Sequence, residues 1–459
     1  MQEHPYRYYY KPQNAAAADF IPFWYDGKFR LFYLHDWRDA DNFGTGVPWY
    51  LIETKDLLHF DEKGEVIPRG TPEEPDNYIF TGSIIRADGK FHIFYTAHNH
   101  RMIDKGLPQE LITHAISDDL IHWQKLPEES FPTTPDCDPH NFRDPFVFYD
   151  EGIGMYRMAC VKRREGSSYV SGITGQYVSK DLKNWESAKD LWTPELFNTH
   201  ECPDIFKIGD WWYLIYSEYS DRNMTRYVMS RSLNGPWIMP EDDFLEGRAY
   251  YAAKSWSDGE HRYLFGWIPT RDQDRDDYCW QWGGNLGILE LRQRPDGTLS
   301  CRMPEVLQQA WTPKEQAAPF TVTGEYCRAD KLCFSDLPDT YRIDAKLRFT
   351  PGTKSFGISF GEDFASRHGY KYEFTPFRNQ VRFGQVSRII NSVDLERPLA
   401  LDPEVPVCIR LVVDYDVCTL FVNDEIALSS RMCDIKGKDL AFFAIQGSAE
   451  VQELTRYTL

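Results

Sequence analysis

The sequence predicts an all-β chain, a five-bladed β-propeller over residues 1–310 followed by a β-sandwich over 311–459. Three observations carry this reading. Aromatic residues make up 15% of the chain and gather in short runs such as 91–95 (Phe-His-Ile-Phe-Tyr) and 211–216 (Trp-Trp-Tyr-Leu-Ile-Tyr), which is strand chemistry. A strand–turn–strand unit recurs five times in the first two thirds of the chain. From about residue 315 that unit disappears, and short alternating strands take over with almost no helical periodicity.

The units can be taken in order. The first runs Phe20-Ile-Pro-Phe-Trp-Tyr, Asp26-Gly27-Lys28, Phe29-Arg-Leu-Phe-Tyr-Leu, and the second Gly82-Ser-Ile-Ile-Arg, Asp88-Gly89-Lys90, Phe91-His-Ile-Phe-Tyr. The third begins at Pro145-Phe-Val-Phe-Tyr and turns through 150–154, and the fourth begins at Pro203-Asp-Ile-Phe and turns at Gly209-Asp210. The fifth begins at Ala253-Lys-Ser-Trp and turns through 257–260. An Asp-Gly or Gly-Asp pair between strand-like runs is a strong hairpin signal, because both residues tolerate the left-handed backbone of a tight turn. A second signature closes each of three units: Lys55-Asp-Leu-Leu-His-Phe60, Asp119-Leu-Ile-His-Trp123 and Asp181-Leu-Lys-Asn-Trp185, with Leu233-Asn-Gly-Pro-Trp237 closing a fourth. Their aromatic ends lie 63, 62 and 52 residues apart (60 to 123, 123 to 185, 185 to 237), the period of a propeller blade with generous loops. The sandwich is read from runs such as 341–349, 371–374 and 407–414, and the stretch 306–320, with Pro313 and Pro319, as the linker.

Composition narrows the function. A net charge of −19 would repel nucleic acid and anionic membranes, so neither is expected as a partner. The ten cysteines fall singly, with no CxxC pair or metal-ligand spacing, so no metal or other cofactor is expected. Reduced thiols favour a cytoplasmic location, and Met1-Gln-Glu-His-Pro-Tyr-Arg7 lacks an apolar signal core, although removal of an export signal stays open. Oligomeric state is not legible.

The repeat itself points to a site. The innermost strand of every propeller blade starts at one mouth of the central axis, so residues preceding those strands share a funnel. Asp19 precedes the first, Asp144 the third, and Glu201 stands two residues before Pro203 in the fourth. The spacings to the following turn are 7, 6 and 8 residues (19 to 26, 144 to 150, 201 to 209), so these three carboxylates are read as equivalently placed. Three converging acids repel one another, a cost that chemistry would justify. A pair of carboxyl groups is what glycoside hydrolysis needs: one acid to protonate the leaving oxygen, one to attack or to activate water.

At these residues the chain resembles glycoside hydrolase family 32, whose members join a five-bladed propeller to a C-terminal sandwich. The resemblance runs through Arg143-Asp144-Pro145, Glu201-Cys202-Pro203-Asp204, Phe80-Thr81-Gly82-Ser83, Tyr251-Ala-Ala-Lys-Ser-Trp256 and Leu264-Phe-Gly-Trp267. It continues in the sandwich at Val413-Asp414, Leu420-Phe-Val-Asn-Asp424 and Ala427-Leu-Ser-Ser-Arg431. It implies a retaining hydrolase that releases fructose from β-fructosides. Asp144 would stabilise the transition state and Glu201 would be the acid/base. The family's Asn-Asp-Pro-Asn-Gly nucleophile motif is replaced here by Ala17-Ala18-Asp19-Phe20-Ile21-Pro22, so Asp19 keeps the carboxylate without its usual neighbours.

Other residues are weighed beside this trio. Arg143, Ser83, Asp204, Trp49 and Trp280 are expected to contact a carbohydrate substrate, the aromatic pair by stacking on sugar faces. Trp282 is a further stacking candidate, and His98 or His100 a hydroxyl contact. Asp36, Asp39 and Asp41, and the charged run 271–277, read as solvated loops. Three alternatives stay open: fructosyl transfer on the same trio, including difructose-anhydride formation; an inverting pentosidase on a five-bladed propeller; and a non-catalytic carbohydrate-binding propeller.

Overall fold

Turn chemistry sets the first level of structure. In the computed structural model, which describes residues 5–164, 166, 170–220, 222–386 and 393–459, the pairs Asp26-Gly27 and Asp88-Gly89 all take left-handed φ values (51°, 72°, 50° and 81°), as two-residue hairpins require. Nearly every element is a strand. Among the described residues the two α-helices, Ala40–Phe43 and Glu305–Gln309, are single turns of 4 and 5 residues.

The first strands are β1 (Ala16–Tyr25), β2 (Lys28–Asp36), β3 (Trp49–Thr54) and β4 (Asp61–Ile67). Next come β5 (Tyr78–Ala87), β6 (Lys90–His98), β7 (Glu110–Ser117) and β8 (Gln124–Lys125), then β9 (Arg143–Asp150), β10 (Met155–Arg163), β11 (Gly172–Ser179) and β12 (Glu186–Ser187). The rest of this region is β13 (Thr199–Ile208), β14 (Trp211–Tyr219), β15 (Thr225–Ser230), β16 (Tyr251–Ser257), β17 (Arg262–Arg271), β18 (Trp280–Gln293) and β19 (Leu299–Arg302). β5–β8, β9–β12 and β13–β15 are separate antiparallel sheets, whereas β16–β19 and β1–β4 join through a β1–β18 contact at Ala17 and Gly284. A Cβ at Gly284 would collide with the Ile268 carbonyl, so this seam needs glycine. β1 packs on β5, β5 on β9, β9 on β13, β13 on β16, and β16 on β1, so the first strands close a ring.

The trailing signature is a repeated turn. Asp56, Asp119 and Asp181 each accept two backbone N–H groups from residues two and three ahead. The residue after each, Leu57, Leu120 or Leu182, is left-handed (63°, 68° and 63°) and buried. The aspartate supplies the hydrogen bonds that a bulky left-handed residue forfeits, and burial of leucine secures the sheet edge.

The C-terminal region is one eleven-stranded ladder folded into a sandwich. Its last strand, Asp439–Thr458, pairs over its first half with Ser355–Asp363 and over its second with Thr340–Phe349. The change falls at Gln446 and Gly447 (φ 48° and 149°), where the strand bends from one layer to the other. Tyr341, Ile343, Ala345, Leu347 and Phe349 turn inward at every second position, as the alternation predicts. The expected linker 306–320 is structured: it holds most of the Glu305–Gln309 helix and the strand Thr312–Gln316, which pairs with the last strand.

The two regions are stapled together. Asp414 accepts the N–H groups of Arg7, Tyr8 and Tyr9 and the Thr340 hydroxyl. Buried Arg431 donates to the carbonyl of Pro269 and to Asn285 Oδ1, balanced by Asp416 at 2.6 Å. The architecture fits a propeller joined to a sandwich.

Candidate active site

One backbone irregularity builds the site. In β1, β5, β9, β13 and β16 the ladder to the next strand slips at the same point, so that two residues oppose one. Such a bulge re-aims the side chains beside it. Its first residue is Asp19, Thr81, Asp144, Cys202 or Ala252; four of these are left-handed, with φ of 43° at Asp19, 58° at Asp144, 52° at Cys202 and 51° at Ala252. None is glycine, so strain is concentrated around this ring.

This register corrects the alignment drawn from the sequence. Asp19 and Asp144 do occupy equivalent positions, but Glu201 does not; Cys202 stands there instead. Glu201 lies one residue earlier, level with Arg143 of β9 and Tyr251 of β16. These three equivalent residues meet. Arg143 Nη2 donates to Glu201 Oε1 at 2.8 Å, and the Tyr251 hydroxyl donates to Glu201 Oε2 at 2.6 Å. Each oxygen of Glu201 is therefore gripped from a neighbouring strand. Arg143 is held in turn by Glu110 of β7, at 3.4 Å, and Glu110 by His98 at 3.3 Å.

The bulge ring is cross-linked as well. Thr81 Oγ1 donates to Asp19 Oδ2 at 2.6 Å, and Trp267 Nε1 donates to Asp19 Oδ1 at 2.9 Å. Asp144 Oδ2 accepts the Cys202 N–H at 2.9 Å. All of Asp19, Asp144, Glu201 and Arg143 line a pocket of about 480 Å³, walled also by Phe80, Tyr251, Trp267, Trp280, Gln281 and Trp282.

Electrostatics separates the acids. Burial pushes Asp19 up to about 6, against the pull of Thr81 and Trp267. Burial pushes Asp144 up to about 7, with Arg143 opposing and Glu201 adding to the rise. Glu110, equally buried, ends below its ordinary range because Arg143 and His98 outweigh desolvation. Lys254, buried beneath this ring with its Nζ on the Pro203 carbonyl at 2.7 Å, is pulled down by desolvation.

Three of the sugar-contact residues expected from sequence stand elsewhere. Ser83 and Asp204 share one position, two residues beyond the bulge in β5 and β13. Ser83 Oγ accepts the Val147 N–H at 2.8 Å, and Asp204 Oδ2 accepts the N–H and hydroxyl of Ser255 at 2.7 and 2.6 Å. Each binds the next first strand around the axis, below the bulge layer that covers it, and neither lines the pocket. Trp49 is fully buried on β3, its Nε1 on the Phe80 carbonyl at 3.3 Å, so it packs between sheets. Trp280 and Trp282 line the pocket. His98 reaches Glu110, and neighbouring Asn99 is buried and caps the short helical turn that starts at His100. Asp36 and Asp39 bind their own loop. The run 271–277 is not wholly solvated, because Asp276 is 7% exposed and bonded to the sandwich. Thr81, Glu110, Tyr251 and Trp267 complete the site without having been singled out. Thr81, Tyr251 and Trp267 lay inside the segments that carry the family resemblance, but Glu110, on a third strand, carries no local signal.

Comparison with known proteins follows the same line. A family model described as the glycosyl hydrolases family 32 N-terminal domain matches residues 17–293, more than half of the chain. The levanbiose-producing levanase of Bacillus subtilis (strain 168) is 24% identical, over 97% of this chain and 91% of that protein. The sucrose-6-phosphate hydrolase of Escherichia coli is 22% identical, over 94% and 89%. Among solved structures, fructan 1-exohydrolase IIa from Cichorium intybus superposes with a TM-score of 0.79 at 16% identity, covering 100% of this chain and 98% of that one. The exo-inulinase from Aspergillus awamori gives 0.78 at 16% identity, over 100% and 99%. These structures share the fold.

Proposed function

The chain belongs to glycosyl hydrolase family 32, and on that footing we propose that its pocket cleaves β-fructosides by double displacement, with Asp19 as nucleophile, Glu201 as acid/base and Asp144 as transition-state stabiliser. It is a glycosidase of the fructoside-hydrolysing kind found in its levanase, invertase and sucrose-6-phosphate hydrolase relatives. The ring of β1, β5, β9, β13 and β16 supports five blades, with the eight-stranded sheet counted as the first and the fifth joined at a seam.

The observation that carries the mechanism is the grip on Glu201. Arg143 and Tyr251 both donate to it, and these bonds are strongest once Glu201 has lost its proton to the departing oxygen. In the first step the Asp19 carboxylate bonds to the anomeric carbon of the terminal fructosyl unit. The glycosidic bond breaks, and its oxygen leaves with the Glu201 proton. Water then gives a proton back to Glu201 and attacks the same carbon, freeing fructose and Asp19. Asp19, at about 6, is ionised at neutral pH as a nucleophile must be. Asp144, raised by burial and fixed by the Cys202 N–H, is suited to hold fructosyl hydroxyls beside the oxocarbenium-like transition state.

The test is Asp19→Ala assayed on sucrose and a levan- or inulin-type oligosaccharide, with and without azide. Fructose release should fall by at least about 10⁴-fold, and azide should restore turnover as a fructosyl azide of inverted configuration. Unaltered fructose release by the variant would remove Asp19 from the role. Product analysis in the wild type with excess sugar acceptor separates hydrolysis from fructosyl transfer, which the same three residues would serve.

A further inference from the structure

Part of the pocket wall comes from the start of β18, and the loop that leads into it from β17 is tethered outside the propeller. Trp280, Gln281 and Trp282 open β18 and line the pocket. The loop before them bends through two left-handed residues, Gln273 and Asp274 (φ 56° and 49°). Two residues beyond Asp274 stands Asp276. Its Oδ2 accepts the Tyr370 hydroxyl at 2.6 Å and Gln385 Nε2 at 2.6 Å, and its Oδ1 accepts the Cys433 N–H at 3.0 Å. All three donors belong to the sandwich. Tyr370, itself 1% exposed, is locked by accepting the Asp434 N–H at 2.7 Å. Trp280 also packs against the sandwich core while the Arg271 guanidinium covers its ring at 3.7 Å.

A buried carboxylate saturated by three donors holds its position far more rigidly than a surface loop could. From this geometry we infer that Asp276 is a positioning residue, through which the sandwich sets the pose of the Trp280–Trp282 wall and so the affinity for the fructoside. Arg38 secures the same wall from the propeller side, donating to Gln281 Oε1 at 2.9 Å and to the Trp282 carbonyl. The sandwich thus shapes the pocket while contributing none of its described residues to the lining. Asp276 and its partners touch no reacting atom, so its loss should act on substrate binding rather than on the bond-making steps.

The inference rests on the proposed reading of the pocket as a fructoside site, and the experiment separates the two. Initial rates on sucrose and on a fructo-oligosaccharide, with the full chain well below its Tm, give kcat and KM for the wild type, Asp276→Ala, Tyr370→Phe and Asp414→Ala. Asp414 is a comparable staple between the two regions that holds no pocket loop. Asp276→Ala should raise KM by about tenfold, with kcat held within about threefold. Tyr370→Phe, which deletes the bond to Asp276 and the one from the Asp434 N–H while preserving shape, should move KM the same way by a smaller factor. Asp414→Ala should lower Tm and leave KM unchanged. Equal KM in Asp276→Ala and the wild type would overturn the inference, as would a KM rise in Asp414→Ala matching that of Asp276→Ala. Should Asp276→Ala fail to fold, an unchanged KM in Tyr370→Phe overturns it alone. A wild type that releases no fructose from either substrate would instead sink the reading of the pocket.

Discussion

Two layers of the propeller axis, two residues apart on the same strands, use the same kinds of side chain to opposite ends. At the bulge, Asp19 and Asp144 are buried with raised pKa values and, with Glu201 beside them, face an open pocket. Two residues deeper, Ser83 and Asp204 are as buried, yet their oxygens are spent on N–H groups of the next first strand. The deeper layer ties neighbouring first strands together, and the upper one concentrates the strain and the repulsion. A carboxylate in this funnel becomes chemical through its height along the strand and the donors around it, since burial alone is common to both layers.

The largest expected break in this comparison comes from Asp144→Asn. Fructose release should fall by about 10³-fold or more, measured as kcat on sucrose. The same change should stabilise the protein at neutral pH. Burial raises the folded pKa of Asp144 to about 7, above its ordinary value of 3.8, so its contribution to stability is fully present below about pH 4 and is lost as pH rises through about 7. The gain in Tm of Asp144→Asn over the wild type should therefore be small at pH 4, grow towards pH 7, and correspond to a few kcal/mol, about 1.4 per pKa unit. A variant destabilised equally at both pH values would contradict the cost of burying the Asp144 carboxylate in this layer.

A smaller effect belongs to the grip on the acid/base. Tyr251→Phe removes one of the two donors to Glu201 and should lower kcat by about 10- to 100-fold, with KM changed far less. The smallest effect on catalysis belongs to the deeper layer. Ser83→Ala strands the buried Val147 N–H and should cost about 1–3 kcal/mol in denaturant unfolding, while kcat/KM stays within about threefold. A loss of activity larger than the loss of stability would return Ser83 to the substrate site.

The contrast also explains what could be read beforehand. The hairpins were legible at Asp26-Gly27 and Asp88-Gly89 because turn chemistry is local, and the three Asp-Leu turns were legible because their hydrogen bonds span only three residues. That Asp144 and Glu201 lie in one pocket was legible for the same reason, each carrying its motif beside it. The equivalence of Glu201 with the two aspartates was misread because a bulge is a property of two strands: counting along one strand cannot reveal which residue is doubled. Ser83 and Asp204 were placed at the sugar because they lie in the segments that carry the family resemblance, and a motif does not give the depth of each of its residues. Asp276 sat inside a charged run whose composition suggested solvent, while its partners Tyr370, Gln385 and Cys433 lie about a hundred residues or more away. Trp49 shows the converse error, an aromatic residue on a third strand whose burial between sheets left no face for a ligand.

Asp19 is the point on which the account turns, since its neighbours differ from the family motif while its bulge position, its bonds to Thr81 and Trp267 and its pocket do not set it apart from Asp144 as a carboxylate poised at the mouth. The direct measurement is to mix the Glu201→Gln variant with a fructosyl donor bearing an activated leaving group, quench, and map the digested protein by mass spectrometry. Without the acid/base the second step slows, and the account predicts one fructosyl unit added to the peptide containing Asp19. A label on Asp144, or turnover with no covalent adduct and an inverted product, would contradict it.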